Sequence, residues 1–549
     1  MAYDKAMPID KVITSALPYA NGPIHLGHLV EHIQADIWVR FQRLQKQRCV
    51  FLCGDDAHGS AIMLAAQKAD VEPEAWIKNI HQQHLEDLKG FHVDYDVYHS
   101  THSQENTELS QMIYQRLDKA GLIHKKMISQ AYDKEAKMFL PDRYVKGTCP
   151  KCGVEDQYGD SCEQCGAVYT PDQLIDAKSV ISGTQPILKE SEHFFFRLSA
   201  CETLLKDWLE QGALQHEVSK KLVEWFEGGL KDWDISRDAP YFGIEIPGAP
   251  GKYFYVWLDA PIGYMAALKY WADQHDEDFH AVWSKGSSTE IIHFIGKDIL
   301  YFHGLFWPAI LHHADFKWPD AIYAHGFLTI NGKKMSKSRG TFITARQYLE
   351  SLDPDYLRYY FAAKLGPNIS DIDLNWSDFV SRVNAELIGK LVNIGSRCAC
   401  FIHRHFNGVL SDRLSDEAFY QQVISQEGQL RSLYEARDYN QCLRLVVSMA
   451  DQINQYLDQT KPWIMAKDPN QLADVGPICT LGVSLFYSLM GFISPVIPGS
   501  FERVKTFMRL NPNEWQDFLQ PVLNHRIEPF PRLLERVDAK QVASMDHAE

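Results

Sequence analysis

A short apolar run, Val12-Ile13-Thr14-Ser15-Ala16-Leu17, is followed within a dozen residues by an amphipathic pattern from Leu29 to Lys46. A strand that passes directly into a helix cannot close as a hairpin. It pairs instead with a parallel neighbour through a crossover. The same pairing recurs with "RCVFLCGDD" (Arg48–Asp56) as strand and Ile62–Lys68 as helix. Strands alternating with helices predict a parallel α/β sheet covered on both faces. The chain has 549 residues, enough for several domains, and 45% are apolar and 23% charged, which fits packed cores and excludes a disordered or fibrous chain.

The texture changes between about Gly121 and Asp238, where four cysteines cluster among turn residues; this region reads as an insertion. The α/β pattern resumes with "EIIHFIGKDIL", a strand ending at Gly296, and "DAIYAHGFLTI" (Asp320–Ile330). If both α/β parts share one sheet, the insert splits it. From about Arg382 onward the patterns are helical, which predicts an α-bundle. The expected boundaries are 1–120 and 241–328 for the two halves of the sheet domain, 121–240 for the insert, 329–388 for a linking region and 389–549 for the bundle. Val475–Phe501 carries no charge and is long enough to span a bilayer. Its flanks are acidic (Asp474, Glu502) and Pro495 and Pro498 interrupt it, so it is expected to be the central helix of a soluble bundle, with no membrane contact. The N-terminus shows no leader pattern, and eleven cysteines, an odd number, suit a reducing compartment; a cytoplasmic location is expected. The formal net charge of −16 argues against a generally basic nucleic-acid binder but leaves room for a local basic groove.

Between the first strand and helix lie Asn21-Gly22-Pro23 and His25-Leu26-Gly27-His28. Three readings compete. His25, His28 and His32 at i, i+3, i+7 could hold a metal, although the Glu of an H-E-x-x-H hydrolase is missing and Pro23 and Gly27 place His25 at the helix start. The histidines could be simple helix-end residues. Or they could add donors to a helix N-terminus that already offers unpaired N–H groups and a positive dipole end, the place where α/β proteins bind phosphate. Gly27 permits close approach of such a ligand.

A second motif favours the third reading. "NGKKMSKSRG" packs Lys333, Lys334, Lys337 and Arg339 into seven residues, and the flanking Gly332 and Gly340 predict a mobile loop. A histidine turn and a downstream Lys-Met-Ser-Lys-Ser loop together resemble the two signatures of class I aminoacyl-tRNA synthetases; Leu26 replaces the usual isoleucine. "LPYANGPIHLGH", "DDAHG", "FIGKDI", "HGFLTINGKKMSKSRG" and the cysteine cluster, in this order, resemble the methionyl-tRNA synthetase family over nearly the whole chain.

That resemblance implies a Rossmann-type α/β catalytic domain split by a zinc-knuckle insert, followed by an α-helical anticodon-binding bundle. It implies activation of L-methionine by ATP with Mg²⁺, then transfer to tRNA(Met), releasing AMP and pyrophosphate. His25 and His28 are then the phosphate donors, with Gly27 between them, and Lys334 and Lys337 clamp the β/γ end. Gly296 and Asp298 lie at the ribose. Asp56 pairs with the α-ammonium, unless it is merely a helix cap. Leu17, Tyr19, Trp257, Ala260, Pro261, Tyr264, His303, Phe306 and Trp307 occupy the family's pocket positions; without the resemblance "YFHGLFW" (Tyr301–Trp307) reads as ordinary core. Cys149, Cys152, Cys162 and Cys165, in "CPKCGVEDQYGDSCEQCG", suit one closed tetrahedral zinc, structural rather than catalytic; a redox dithiol is the alternative. Asn393 and Arg397 ("GKLVNIGSR") with Trp463 ("TKPW") match anticodon-reading positions; alone they read as a cap, a surface charge and a core ring. A monomer is expected. Competing functions are another class I synthetase, a zinc hydrolase built on the three histidines, and a non-catalytic tRNA-binding protein.

Overall fold

The computed structural model describes residues 8–141, 144–159, 162, 164–165, 167, 169, 171–335, 342–543 and 545. Five strands form the central sheet: β1 (Lys11–Ser15), β2 (Cys49–Asp55), β3 (Val97–Ser100), β4 (Glu290–Gly296) and β5 (Ala321–His325). Their order is β5-β4-β1-β2-β3 and every pairing is parallel. All seven residues of β2 are buried, the continuous apolar run that a sheet covered on both faces requires. Alternate residues of β1 serve opposite cores. Ile13 packs with Trp38, Phe51 and Phe294 on one face, Val12 with Leu52, Ile291 and Ile295 on the other.

Helix α1 (Leu26–Leu44) crosses from β1 to β2, and α2 (Pro73–Gly90) precedes β3. β4 returns on the other side of β1, so the connections diverge at the β1/β4 boundary. Ligands of open α/β sheets bind at such a switch point, beyond the carboxyl ends of the strands. Just before β4, α3 (Val256–His275) covers the second face against β2 and β3.

Between β3 and β4 a long antiparallel hairpin, Ile123–Asp133 against Ile187–Phe196, leaves the sheet domain. Beyond it lies a small sheet of Val145–Thr148, Gln157–Tyr158 and Ile175–Ser179, which carries the four cysteines on a minor core of Tyr144, Val145 and Leu174. The chain after residue 376 is helical in its long elements, notably α4 (Asn393–Phe406), α5 (Tyr439–Thr460) and α6 (Leu472–Phe492). Among the described residues α6 is the one helix long and apolar enough to cross a membrane, and its whole apolar window is buried inside the fold. Its hydroxyls are used internally: Thr480 Oγ1 accepts from Ser411 N at 2.8 Å and Ser484 Oγ accepts from Val522 N at 3.1 Å.

One buried ion pair ties α1 to the bundle. Asp36 accepts from Arg358 Nη2 at 2.6 Å and from Arg40 Nε at 2.7 Å. Arg358 spends its other donors on the carbonyls of Phe91, Pro495 and Val496. Burial alone drives the Asp36 carboxyl upward, but the two guanidinium groups outweigh it and hold it below the usual carboxylate range. Replacing Arg358 strands three carbonyls and weakens the pairing of a buried carboxylate. Arg358→Leu is expected to cost about 3–5 kcal/mol of stability, read from the denaturant midpoint; a loss under about 1 kcal/mol would show that Arg40 alone suffices.

Candidate functional site

A cavity of about 1070 Å³ opens at the β1/β4 switch point. Its floor is the start of α1. His25 is the N-cap, and its Nδ1 accepts from Gly27 N at 3.1 Å; His28, three residues on, accepts at Nδ1 from His25 N at 3.3 Å. The two rings stack at 3.7 Å. The histidines therefore do cap the helix, as the plainer reading held, and that cap sets their chemistry. A neutral imidazole that accepts at Nδ1 carries its proton on Nε2. Burial, reinforced by His25, His32 and His84, keeps the His28 ring well below its ordinary pKa and so uncharged. Both residues line the cavity as neutral donors.

The metal reading of this turn falls away. His32 turns to Tyr95, with Nδ1 at 2.5 Å from the hydroxyl, and burial lowers its pKa to about 3. Among the described residues only the four cysteines gather three or more ligating atoms.

Gly27 is required by contact. A Cβ there would lie 2.6 Å from the Met335 methyl and 2.9 Å from His25 Cε1. The lysine-rich segment is thus fastened to the histidine turn on both sides. Met335 packs on Gly27 before it; after it Phe342 meets the His25 ring edge-on at 5.1 Å, Leu26 N donates to Ile343 O and Ala345 N to Ile24 O. Lys337 and the side chain of Lys334 lie outside the described residues; the backbone of Lys334 pairs with Thr329.

The loop before α1 is held by charge. Asp55, the last residue of β2, receives His81 Nδ1, His84 Nδ1 and the Tyr98 hydroxyl, each at 2.6 Å. His84 Nε2 donates to Gly22 O at 2.8 Å. Both His84 nitrogens face acceptors, so the ring is an imidazolium. Burial opposes that charge, but Asp55 outweighs burial and the pKa sits above its ordinary value.

Beside this floor is a second compartment. Leu17, Tyr19, Trp257, Ala260, Pro261, Tyr264 and His303 line it, and Asp56 faces it. Asp56 is half-buried, and its Oδ1 is a buried atom with no hydrogen-bond partner. Burial first, then the nearby Asp259 and Asp55, push its pKa well up. It is not a helix cap: that place before Ser60–Lys68 belongs to Gly59. His303 Nδ1 donates to Ile299 O at 3.1 Å, so its Nε2 accepts the Tyr264 hydroxyl at 2.8 Å. Burial lowers the His303 pKa to about 4 and the pair stays neutral.

Two expected wall residues stand behind the wall. Phe306 packs on Phe196 and Trp233, and Trp307 donates its Nε1 to His293 at 3.2 Å. Phe302 takes their place, stacked on Trp257 at 3.7 Å. Residues 302–306 form a wide π turn, which rotates the aromatic run away from ordinary helical spacing. Sequence reasoning also missed Arg237, Glu31 and His325. Arg237 is the one Lys or Arg among the described lining residues. Glu31 lies 3.7 Å from His325 Nε2, and burial pushes its pKa up to about 7. Gly296 and Asp298 complete the rim at the end of β4; a Cβ on Gly296 would strike Asp298 Oδ1 at 2.4 Å.

The profile of the tRNA synthetases class I (M) matches residues 11–399. The chain belongs to that family. Its fold is similar to that of methionyl-tRNA synthetase from Mycobacterium tuberculosis. With methionyl-adenylate bound, that protein superposes with a TM-score of 0.79 at 23% identity, over 95% of this chain and 100% of that one. A second methionyl-adenylate complex gives 0.79 at 24% identity, over 95% and 99%. The apo form gives 0.74 at 21%, over 98% and 100%.

Away from the cavity, this synthetase has two further arrangements. The sulfurs of Cys149, Cys152, Cys162 and Cys165 all lie within 4.8 Å of one another, with Cys149–Cys165 at 3.8 Å and Cys152–Cys162 at 3.5 Å. A tetrahedral ion with metal–sulfur bonds of about 2.3 Å needs edges of about 3.8 Å. Lys151 N and Cys165 N point at Cys149 and Cys162 sulfurs at 3.4 Å, donors that suit thiolates. None of the four cysteines lines the cavity. On the bundle, Asn393 and Arg397 sit one turn apart on α4, and the Arg397 guanidinium lies 4.3 Å over the half-buried Trp463 ring while reaching Asp458 at 2.8 Å.

The His84 imidazolium gives the site a pH signature. Its folded pKa exceeds the unfolded value of about 6.5, so its stabilisation is complete below that value and disappears as pH rises through the folded one. The thermal midpoint of the native protein is expected to fall on the alkaline side relative to His84→Gln. Parallel midpoint curves for the two proteins would remove the imidazolium assignment.

Proposed function

We propose that this class I synthetase activates L-methionine with ATP and transfers it to tRNA(Met). The observation that carries the reading is one cavity in which two neutral imidazole donors face the same space as an orphaned carboxylate and an apolar aromatic wall. In the first step a methionine carboxylate oxygen bonds to the α-phosphorus of ATP, and the bond to pyrophosphate breaks, its electron pair leaving with pyrophosphate. Mg²⁺ enters with ATP as part of the substrate. No protein nucleophile is needed; alignment and charge stabilisation are. His25 and His28 donate from Nε2 to phosphate oxygens at the positive end of α1, and Lys334 and Lys337 neutralise the departing pyrophosphate. Gly296 and Asp298 hold the ribose. In the second step a terminal ribose hydroxyl of tRNA adds to the activated carbonyl, AMP leaves, and the hydroxyl proton ends on its phosphate.

Asp56 supplies the partner for the methionine ammonium: its unpartnered, buried oxygen lacks a cation. Arg237, its guanidinium 3.8 Å over Tyr255, meets the carboxylate. The thioether rests among Leu17, Tyr19, Ala260, Pro261 and the stacked Trp257 and Phe302, surfaces that suit a polarizable sulfur. The Tyr264–His303 pair sets the pocket depth. Asn393, Arg397 and Trp463 offer hydrogen bonds and a stacking face to unpaired anticodon bases. The cysteine cluster holds one structural zinc: four thiolates leave no open position, and its place outside the cavity argues against the zinc-bound substrate thiol of a cysteine-specific enzyme. A cytoplasmic site of action is part of the proposal, supported by eleven cysteines that suit a reducing compartment.

Pyrophosphate exchange into ATP, run with each of the twenty amino acids and no tRNA, is expected to respond to methionine alone. Exchange with another amino acid would keep the class and overturn the pocket assignment. Elemental analysis is expected to find about one zinc atom per chain; none or two would revise the cysteine cluster.

A further inference from the structure

His193 lies on the insert strand Ile187–Phe196 and is 0% exposed. Its Nδ1 is 2.7 Å from Asp234 Oδ2 and its Nε2 is 3.0 Å from Asp238 Oδ2. Ionised carboxylates only accept, so both ring nitrogens carry protons and the buried ring is an imidazolium. Asp234 and Asp238 bracket Arg237 in the chain, and all three line the main cavity.

The surrounding charges define what this cation does. Asp238 also receives Lys252 Nζ at 2.5 Å, and Lys252 reaches Ser191 Oγ at 2.8 Å. Asp234 Oδ1 accepts from Ser236 N and Oγ, and its Oδ2 lies 3.4 Å from Arg237 Nη1. Arg237 Nη1 donates to Ser236 O at 2.6 Å. Across the hairpin, Lys126 pairs in register with His193 and lays its ammonium over Phe195. Two carboxylates are therefore shared among His193, Lys252 and Arg237, and one positive charge is left over toward the cavity. Without the imidazolium proton, Asp234 and Asp238 would be matched by Lys252 and Arg237 alone. The Arg237 guanidinium would then be drawn fully onto Asp234.

We propose that His193 is a positioning residue: its imidazolium, held between Asp234 and Asp238, frees Arg237 to bind the amino-acid carboxylate. The inference rests on the reading of Arg237 given above. It makes the insert part of the amino-acid site, because the hairpin that leaves the sheet domain supplies the counter-charge for a cavity residue. Two backbone links hold the same contact in place. Phe194 N donates to Ser236 Oγ, and Ile235 N to Phe194 O, both at 2.9 Å.

The test is a mutant cycle in pyrophosphate exchange, using the full chain. His193→Gln is expected to raise the methionine KM about ten-fold and to leave the ATP KM within about two-fold. In an Arg237→Ala background the same change is expected to add less than about two-fold. Adding Asp234→Asn to His193→Gln removes the carboxylate that captures Arg237, and is expected to recover most of the lost affinity. Effects that simply multiply, equal rises in both KM values, or no recovery with Asp234→Asn would overturn the proposal in favour of a general packing role. If Arg237→Ala leaves the methionine KM unchanged, the carboxylate reading of Arg237 and this proposal fall together, while methionine-dependent exchange by the native protein keeps the wider function. Should His193→Gln not fold, His193→Lys keeps a cation between the two carboxylates and is expected within about three-fold of the native KM; a ten-fold loss there would also overturn it.

Discussion

The reciprocal cap of α1 is the constraint from which the site follows. A helix N-terminus at a switch point already presents N–H groups and a positive field. Most helices satisfy the first of these groups with a side-chain oxygen of Ser, Thr, Asp or Asn. Here two imidazoles do the capping. Each accepts on one nitrogen and so must present a proton on the other. The cap and the functional surface are one structure. Its position depends on the loop before it, which Asp55 and the His84 imidazolium hold from β2 and α2.

The helix is also anchored along its length. Asp36 connects it through Arg358 to the carbonyls of Pro495 and Val496, in the chain just after α6. Sheet domain and bundle therefore meet through a fully hydrogen-bonded buried charge, which fixes their relative placement more stringently than apolar contact would. Under the proposed function, in which Trp463 meets the anticodon, such a joint holds the two sites in one rigid frame.

What could be read from the chain was local. The strand-to-helix turn, the lysine-rich segment and the cysteine spacing are each contained within about twenty residues, and each carries its own chemistry in its residue types. The uncharged run at Val475–Phe501 was legible as a buried helix because its acidic flanks and prolines spoke against a bilayer. What could not be read was assembled by tertiary contact. Arg237 stands in a polar stretch of the insert, and only the fold turns it into the cavity beside Tyr255. His193 meets its carboxylates across some forty residues. Phe302 replaced Phe306 and Trp307 on the wall because the backbone there widens to a π turn, which periodicity does not announce. Helix α1 begins at Leu26 rather than Leu29 because the capping histidines belong to it, a boundary that depends on side-chain hydrogen bonds.

The charges around the cavity explain the division of labour between its parts. The described lining carries Asp56, Glu31, Asp298, Asp234, Asp238 and Asp172 against the single guanidinium of Arg237, and His28 is kept neutral by burial. His193, Lys252 and Arg237 match Asp234 and Asp238, and burial raises the pKa of Asp56 and Glu31, so apart from Arg237 the described lining offers an anion the α1 terminus and the two Nε2 donors. Under the proposed function the further positive charge is that of Lys334 and Lys337, whose described neighbours Met335, Phe342 and Ile343 contact the histidine turn. In the proposed reaction, neutral donors align the phosphates without binding the ground state in preference to the reacting one. The cations are carried on a segment whose two anchors sit on the same helix terminus. In the proposed reaction that charge meets the pyrophosphate as it departs, while the α1 cap aligns the α-phosphorus.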